Sequence, residues 1–586
     1  MKAREGIPAL GAFALVSALG FDEGGYAATA WGWSAIIVLA LLAYVLAQGA
    51  PRPTTGGLLL VAGLAGCTAW TAASVLWSSH VAASVLEIER LLLYVGAAAA
   101  FALAGSSPAL LSGVLAAASL LSAFGLSRWL LGDPEVPLSA DPGAANRLSE
   151  PVGYANGMAI LAAIGLLVAL GLAARAARRE AAALAAAAVP LLTATLYFTF
   201  SRGGWLALFV GVAVAVAIGP RRLQLAATAA VLAPVAAVAL VAARELDGGP
   251  LVAVLVALCA VSAAAAFGFR SRQWTVPRRA QTAFAVVLVL VPVLVAAAAL
   301  VRLGGPTGAF ESFKAAPSPV HGRADGRVLS ASGSSRADYW RVAWQSYEQE
   351  PLLGAGAGTF PRTWLLDRPI SQPVRDAHSL YLETLAELGP IGLILLLAAL
   401  AAPLTGRRSR WTPAALGPYA AFLAHAAQDW DWEVPAVTIA ALACGAAAVV
   451  PPRDTRSPRW LAIVPIVLCV LVIGAYAGNR VLAEAQAAAD RSDYSASVDR
   501  ADTARRLLPW SAEPWRLRGE AELAVGADDA ARRSFQRGVE LDPDNWELWL
   551  DLGLAEAGLA QRAAWARAKS LNPLSPELRE LGLDGR

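Results

Sequence analysis

Long apolar blocks separated by short polar interruptions fill the chain from residue 7 to residue 301, and again from 378 to 480. A helix needs roughly 20 predominantly apolar residues to cross a bilayer, with about 17–25 the working range. By that measure candidate spans fall at 7–20, 27–47, 57–77, 91–105, 108–130, 154–174, 185–200, 203–219, 223–243, 250–269, 280–301, 378–402, 412–428, 434–451 and 459–480. Those at 7–20, 91–105 and 185–200 are short, so the pattern predicts about 12–15 transmembrane helices. The first block follows Lys2 and Arg4 with no convincing cleavage site, and it reads as a helix that is retained.

Loop charge tests the count, because Lys and Arg stay on the cytoplasmic side. With the N-terminus inside, the inside loops collect Lys2, Arg4, Arg52 and the arginine clusters at 175–179, 221–222, 270–279, 407–410 and 453–459. The short outside loops carry only Arg90, Arg147, Arg202 and Arg244, among acidic neighbours such as Asp22, Glu23, Asp133, Glu135, Glu245 and Asp247. Fifteen crossings satisfy this alternation, and dropping any one would invert every later loop. The parity places the Ser201–Arg202 junction, the long loop at 302–377 and everything after 480 on the outer, periplasmic side.

The long loop begins rich in Ser, Gly and Pro and reads as disordered. At Arg336 it becomes ordered, with Arg336, Trp340, Trp344 and Tyr347 on one helical face and Asp338, Arg341, Gln345 and Glu348 elsewhere. Such a helix is expected at the lipid–water interface. After the last span, Trp515 and Trp549 stand 34 residues apart, as do Pro509 and Pro543. Ala530, Phe535, Leu541 and Pro543 are echoed by Ala563, Trp565, Leu571 and Pro573, a period that resembles the tetratricopeptide repeat. A degenerate unit precedes them at about 481–509. Such stacks present concave surfaces to protein partners; the plainer alternative is a solubilising cap.

The expected fold is therefore all-α. It comprises transmembrane helices over 1–301, an external loop with an amphipathic helix over 302–377, transmembrane helices over 378–480, and a tetratricopeptide-like α-solenoid over 481–586. Composition agrees: 57% of residues are hydrophobic and 16% charged, against about 25% charged in soluble domains. A net charge of +3 gives no argument for nucleic acid. The four cysteines lie inside apolar runs without metal-type spacing and read as small core residues. The expected location is the cytoplasmic (inner) membrane, crossed many times.

Ionisable groups at the rim of a membrane bundle are functional candidates. In "TFSRGGWLALFVG" two apolar segments meet at Ser201–Arg202 with no real loop between them. Arg202 either grips an anion with its planar fork of donors or snorkels to anchor a helix end. His378 either caps a helix or accepts a hydroxyl proton near neutral pH. The second role is favoured by the polar Ser379, Tyr381 and Glu383 beside it. The turn holding Gly354, Gly356 and Gly358 could also bring backbone close to a ligand. His80 and His321 have no such setting and are expected at the surface. His425 lies near "QDWDWE", where Asp429 could orient a base or bind sugar hydroxyls. Trp430 and Trp432 could stack on a sugar or belong to an interfacial belt.

Taken in order, "SRGGW", "RADYW…PLLGAGAGTF" and "AHSLYLETLAELGPIG" resemble the O-antigen ligase / O-antigen polymerase family of membrane glycosyltransferases. "PVGYANGMAI" (Pro151–Ile160) is similar to the family's segment opening a middle helix. The resemblance covers roughly residues 85–450, and its best motifs span 336–392. It implies transfer of a glycan from an undecaprenyl-diphosphate carrier to an acceptor, without metal or other cofactor. Carried over by residue, Arg202 and Arg336 hold the donor diphosphate and His378 is the catalytic base; Arg341, Tyr381, Glu383 and Asp429 are supporting candidates read from their positions near these motifs. Attack on the anomeric carbon opposite the carrier would invert its configuration; no glycosidase-like carboxylate pair, P-loop or nucleotide fingerprint is evident, consistent with energy stored in the lipid-linked donor. The acceptor is left open among a lipid-linked glycan, a growing repeat chain and a protein hydroxyl, the last making an O-oligosaccharyltransferase. A different class, a transporter or flippase for lipid-linked glycans, would use the same arginines without chemistry. It would be expected to show internal repeats and broken helices at mid-membrane, and the sequence shows no such repeat.

Overall fold

The computed structural model describes residues 3–132, 147–219, 222–270, 301–315 and 335–582 apart from 408 and 452–455, together with Gly333 and scattered positions between 277 and 300. Among these residues every regular element is a helix. The helices are α1 (Ala3–Phe21), α2 (Ala28–Ala47), α3 (Thr55–Ser74), α4 (Val81–Ala102), α5 (Ser107–Leu131), α6 (Ala155–Arg175), α7 (Arg179–Phe198), α8 (Arg202–Ile218), α9 (Arg222–Glu245) and α10 (Gly248–Arg270). The long loop contributes α11 (Gly305–Lys314), α12 (Arg336–Gln349) and α13 (Phe360–Asp367). The bundle resumes with α14 (Leu380–Ala401), α15 (Thr412–Ala426), α16 (Pro435–Ala447) and α17 (Ile463–Asp490).

Nine of the described helices, α2, α3, α5, α6, α7, α9, α10, α14 and α17, are long and apolar enough to cross a membrane. Shorter apolar helices occupy Gly6–Phe21, Arg202–Ile218 and Pro435–Ala447. α4 and α15 lie where two further spans are expected, and the segment 280–301 falls largely outside the described residues. The bundle is built around α6, whose spanning window is 94% buried; in α10 and α17 the figure is 22%, so these two form the periphery. α6 is lined with small residues, and a methyl on Gly171 would stand 2.4 Å from Cβ of Ala414 in α15. Close packing of this kind holds helices together in lipid, where apolar burial offers no net drive.

Five features depart from the sequence expectation, the first being α11, a helix at the start of the loop that reads as disordered. α4 starts at Val81, ten residues before the expected span at 91–105, because its charged first turns find partners. Arg90 pairs with Glu87 and with Glu433, and Glu89 accepts from Asn479 of α17 at 2.7 Å. α12 does not bury the face predicted for it. Tyr339, Val342, Ala343 and Ser346 pack inward with α13 and α14, while Trp344 is exposed and donates to Glu348 of the same helix. The Gly-rich turn holds protein rather than open space. Ala355 and Gly356 donate to the Ala386 and Glu387 carbonyls of α14, and the Glu387 carboxylate accepts from the N–H groups of Gly358 and Phe360. His80, expected at the surface, places Nδ1 3.2 Å from the Gly358 carbonyl; His321 lies outside the described residues.

α17 runs unbroken out of the bundle into six further helices, α18 (Tyr494–Leu507), α19 (Glu513–Ala524), α20 (Asp528–Leu541), α21 (Trp546–Ala555), α22 (Gly558–Leu571) and α23 (Pro576–Glu580). From α18 to α22 each packs on the next, around Ala512, Ala531, Phe535, Val539, Leu548 and Leu552. The far end of this tail lies on the long loop. Arg362 pairs with Asp542, and Arg368 Nη2 donates to Asn572 Oδ1 at 2.7 Å.

Two outcomes follow from this architecture. Gly356 has φ +104°, and a Cβ there would lie 2.5 Å from the Ser78 Cβ. Gly356→Ala should therefore destabilise the protein by about 1–3 kcal/mol, seen as a lower melting temperature, whereas Gly474→Ala, with nothing within 4 Å, should not. The double variant Asp542→Ala/Asn572→Ala should speed tryptic cleavage after Arg362, whose side chain pairs with Asp542 in the native chain, and unchanged cleavage would show that the tail does not shield the loop.

Candidate active site

The site grows from the break between α15 and α16, where Gln428, Asp429, Trp430 and Asp431 turn the chain at one rim of the bundle. Asp429 is 1% exposed, and a buried carboxylate must be surrounded by donors to remain charged. It has four. Arg336 Nη2 lies at 2.8 Å, Asn156 Nδ2 at 2.7 Å, the Tyr154 hydroxyl at 2.5 Å, and its neighbour's N–H, from Trp430, at 2.9 Å. Burial alone would raise the Asp429 pKa, but Arg336, with His425 and His378 behind it, holds it well below the ordinary carboxylate value. Asp429 is thus occupied in fixing Arg336 and not in orienting a histidine.

Arg336 opens α12. Its Nε donates to the Gln428 carbonyl and its Nη1 to the Gly333 carbonyl, so three of the fork's five N–H groups are engaged among the described residues. Behind Asn156, Arg147 donates through Nη2 to the Asn156 amide oxygen at 2.5 Å and through Nε to the Thr199 carbonyl at 2.8 Å. That link ties the start of α6 to the end of α7.

His378 is presented by a tight turn before α14. Its φ is +51°, a conformation that is costly for a residue with a side chain and that is found where surrounding contacts enforce it. Asp376 supplies the enforcement, with Oδ1 2.6 Å from His378 Nδ1 and 3.0 Å from the His378 N–H. Glu383, from the first turn of α14, accepts the Ala377 N–H at 2.6 Å and pins the same turn. Tyr339 stacks 4.9 Å from the imidazole, and Trp340 Nε1 points at the His378 carbonyl. Burial works against the charged ring, but the Asp376 carboxylate outweighs it, aided by Asp429 and opposed by Arg336, so the His378 pKa is raised. With Nδ1 directed at a carboxylate, the neutral ring carries its proton there and leaves Nε2 as the acceptor. The His378 side chain is 19% exposed.

Arg202 is the first residue of α8, half-buried, after the capping Ser201, whose Oγ accepts the Gly204 N–H. The next residue, Gly203, backs onto His425 and Gln428. Gly203, the residue after Arg202, and Arg336 therefore both border the Gln428 turn, and His378 lies close enough to feel Arg336 and Asp429.

The remaining expected residues take other places. Tyr381 donates to the Leu423 carbonyl at 3.0 Å and stitches α14 to α15. Arg341 is exposed and meets Asp338 and Gln345 of its own helix, away from the cluster. Trp430 stacks on Tyr154 at 4.3 Å and Tyr26 at 5.5 Å, while Trp432 is a core residue whose carbonyl accepts from Tyr94. Below the His378 turn, a cavity of about 90 Å³ is lined by Glu87, Arg90, Tyr94, Glu383 and Glu387 among others.

Sequence reasoning missed Asp376, although an aspartate two residues before a candidate base is a readable signal. It also gave Tyr154 and Asn156 no role of their own, and it left Asp431 unassigned, the buried carboxylate beside His425.

No curated protein matches the chain. Residues 249–397, which include Arg336, Arg341, Asp376, His378, Tyr381 and Glu383, match the family model described as O-Antigen ligase. That match, together with nine membrane-length apolar helices among the described residues, supports the O-antigen ligase family and a multi-pass membrane enzyme of cell-envelope glycan transfer.

Proposed function

We propose that this chain transfers a glycan from an undecaprenyl-diphosphate carrier to an acceptor hydroxyl at the outer face of the cytoplasmic membrane. The reading rests on one observation: a histidine held by a carboxylate stands beside a buried arginine–aspartate pair at the rim of an apolar bundle, with His378, Asp376 and Arg336 inside the segment matched to O-Antigen ligase. Arg336, fixed by Asp429, and Arg202, at the start of α8, engage the diphosphate. Their hold strengthens as charge collects on the leaving group, which is where binding accelerates reaction. The acceptor oxygen attacks the anomeric carbon while His378 Nε2 takes its proton and Asp376 stabilises the imidazolium. The bond to the phosphate oxygen breaks with its electron pair, and the sugar's configuration inverts. The tail is read as a tetratricopeptide-like stack on the same outer side, with a protein partner.

The test is reconstitution of the purified protein with an undecaprenyl-diphosphate oligosaccharide and three acceptors in parallel: a lipid-linked glycan, a repeat chain and a serine-bearing peptide. Release of undecaprenyl diphosphate together with a glycosylated acceptor is expected. Carrier moved across the bilayer with no release would establish the flippase instead.

Two variants probe the roles. His378→Ala should lower transfer by about 10²–10⁴-fold while donor binding persists. Because the His378 pKa is raised, the base form is lost as pH falls through a value above the ordinary ~6.5. Asp376→Asn removes the group that raises it, so the acid limb of the rate profile should move to lower pH as the maximum rate drops. An unmoved limb would assign the titration elsewhere. Arg336→Ala would leave Asp429 buried without its partner at about 3–5 kcal/mol. The informative change is therefore Arg336→Lys, expected to raise the donor KM about tenfold.

A further inference from the structure

Arg375 stands three residues before His378, in the turn that presents the base, and the proton transfer leaves it without a task. Arg375 is exposed. Among the described residues its side chain makes one long hydrogen bond, donated from Nη1 to the Tyr26 hydroxyl at 3.4 Å. Most of the five N–H groups in its fork therefore lack a protein acceptor, right beside the site.

Tyr26 connects that arginine to the buried pair. Its ring meets Trp430 edge to face at 5.5 Å, and Trp430 stacks at 4.3 Å on Tyr154, whose hydroxyl donates to Asp429. Tyr26 and Trp430 are each half-buried, so part of this aromatic row is open to solvent. The tail supplies a facing group. Its far end is held to the long loop through Asp542 and Asn572. Glu547, an exposed carboxylate in the first turn of α21, lies near enough for its charge and that of Arg375 to act on each other. The two make no hydrogen bond, so a gap remains between them.

That gap selects a chemistry. A guanidinium only donates hydrogen bonds and a carboxylate only accepts them, and the small group that answers both at once is a hydroxyl. The aromatic pair beside them offers apolar surface, and a few placed polar groups against such surface are what orient a small ligand. A ring that carries hydroxyls and also has an apolar C–H face is a sugar.

We propose that Arg375, Glu547 and the Tyr26–Trp430 pair form the acceptor subsite, and that a sugar of a glycan acceptor occupies it. One hydroxyl of that sugar bridges Arg375 and Glu547, its C–H face lies on the aromatic pair, and the attacking hydroxyl is thereby brought to His378 Nε2. The inference rests on the transfer reading and deepens it: the acceptor is a glycan, and the tail is one wall of the site that receives it. Arg375 and Glu547 act in binding, and His378 remains the proton acceptor.

The test is acceptor kinetics on the full-length protein in nanodiscs, with an undecaprenyl-diphosphate oligosaccharide as donor. The acceptors are the same oligosaccharide, released from its carrier by mild acid, and a serine-bearing peptide. Arg375→Ala and Glu547→Gln should each raise the KM for the oligosaccharide about tenfold, the scale of one charge-assisted hydrogen bond, while the donor KM holds. Both residues are exposed, so these changes spare the fold. The double variant should do little more than either single change, because the two side chains grip one hydroxyl; a hundredfold rise would overturn the shared grip. An oligosaccharide KM unmoved in both single variants would overturn the subsite and leave the transfer reading standing. A rise for the peptide alone would overturn the glycan assignment. A wild type that binds the released oligosaccharide through Arg375 and Glu547 but transfers nothing would overturn the transfer reading and keep the subsite. A wild type that neither binds nor transfers would overturn both.

Discussion

A guanidinium and a carboxylate buried together at the edge of an apolar bundle set the conditions for everything around them. Asp429 is almost fully removed from water, so it remains charged only because Arg336, Tyr154, Asn156 and the Trp430 N–H surround it. Those donors come from α12, from the start of α6 and from the α15–α16 turn. Losing any of them leaves an unmatched charge in a region where water cannot compensate. The pair thereby fixes where the long loop meets the bundle, and with it where His378 stands.

The loop itself is held by polar backbone contacts more than by apolar burial. The turn at Gly354–Gly358 winds around α14 at Gly389, whose φ of +64° breaks the helix just where Leu352 and Leu353 approach it. Trp70 Nε1 donates to the Leu388 carbonyl at this break, and Glu387 caps the segment that starts α13. Irregular backbone at the membrane edge is tolerated when protein groups satisfy it, and here α3, α4 and α14 do so. The glycines are required for close approach between backbones, a use that a Gly-rich string does not distinguish from ligand cradling when read in one dimension.

Helices and their order were legible because the bilayer imposes one length and one polarity pattern on every span. The pattern failed where membrane-edge charges are satisfied by distant partners: α4 extends past its apolar stretch because Glu433 and Asn479 meet Arg90 and Glu89. For α12, helical spacing grouped the residues correctly, yet it could not say which face meets protein, and Tyr339 and Val342 turned out to face inward. Arg336 stood out through the motif that opens an amphipathic segment, and His378 through its place between a Gly-rich turn and a long apolar run. Asp376 and Asp431 did not, because a carboxylate's role depends on which imidazole it meets in three dimensions.

The length of α17 has a consequence for what the tail can touch. Its last twelve residues, Asn479–Asp490, continue the helix beyond the apolar stretch, and at 1.5 Å per residue they rise about 18 Å. A stiff post of that height acts as a ruler. It carries the first helix of the stack, α18, which packs back along it, while Asp542 and Asn572 farther along reach Arg362 and Arg368, so whatever the stack holds is met beside the long loop.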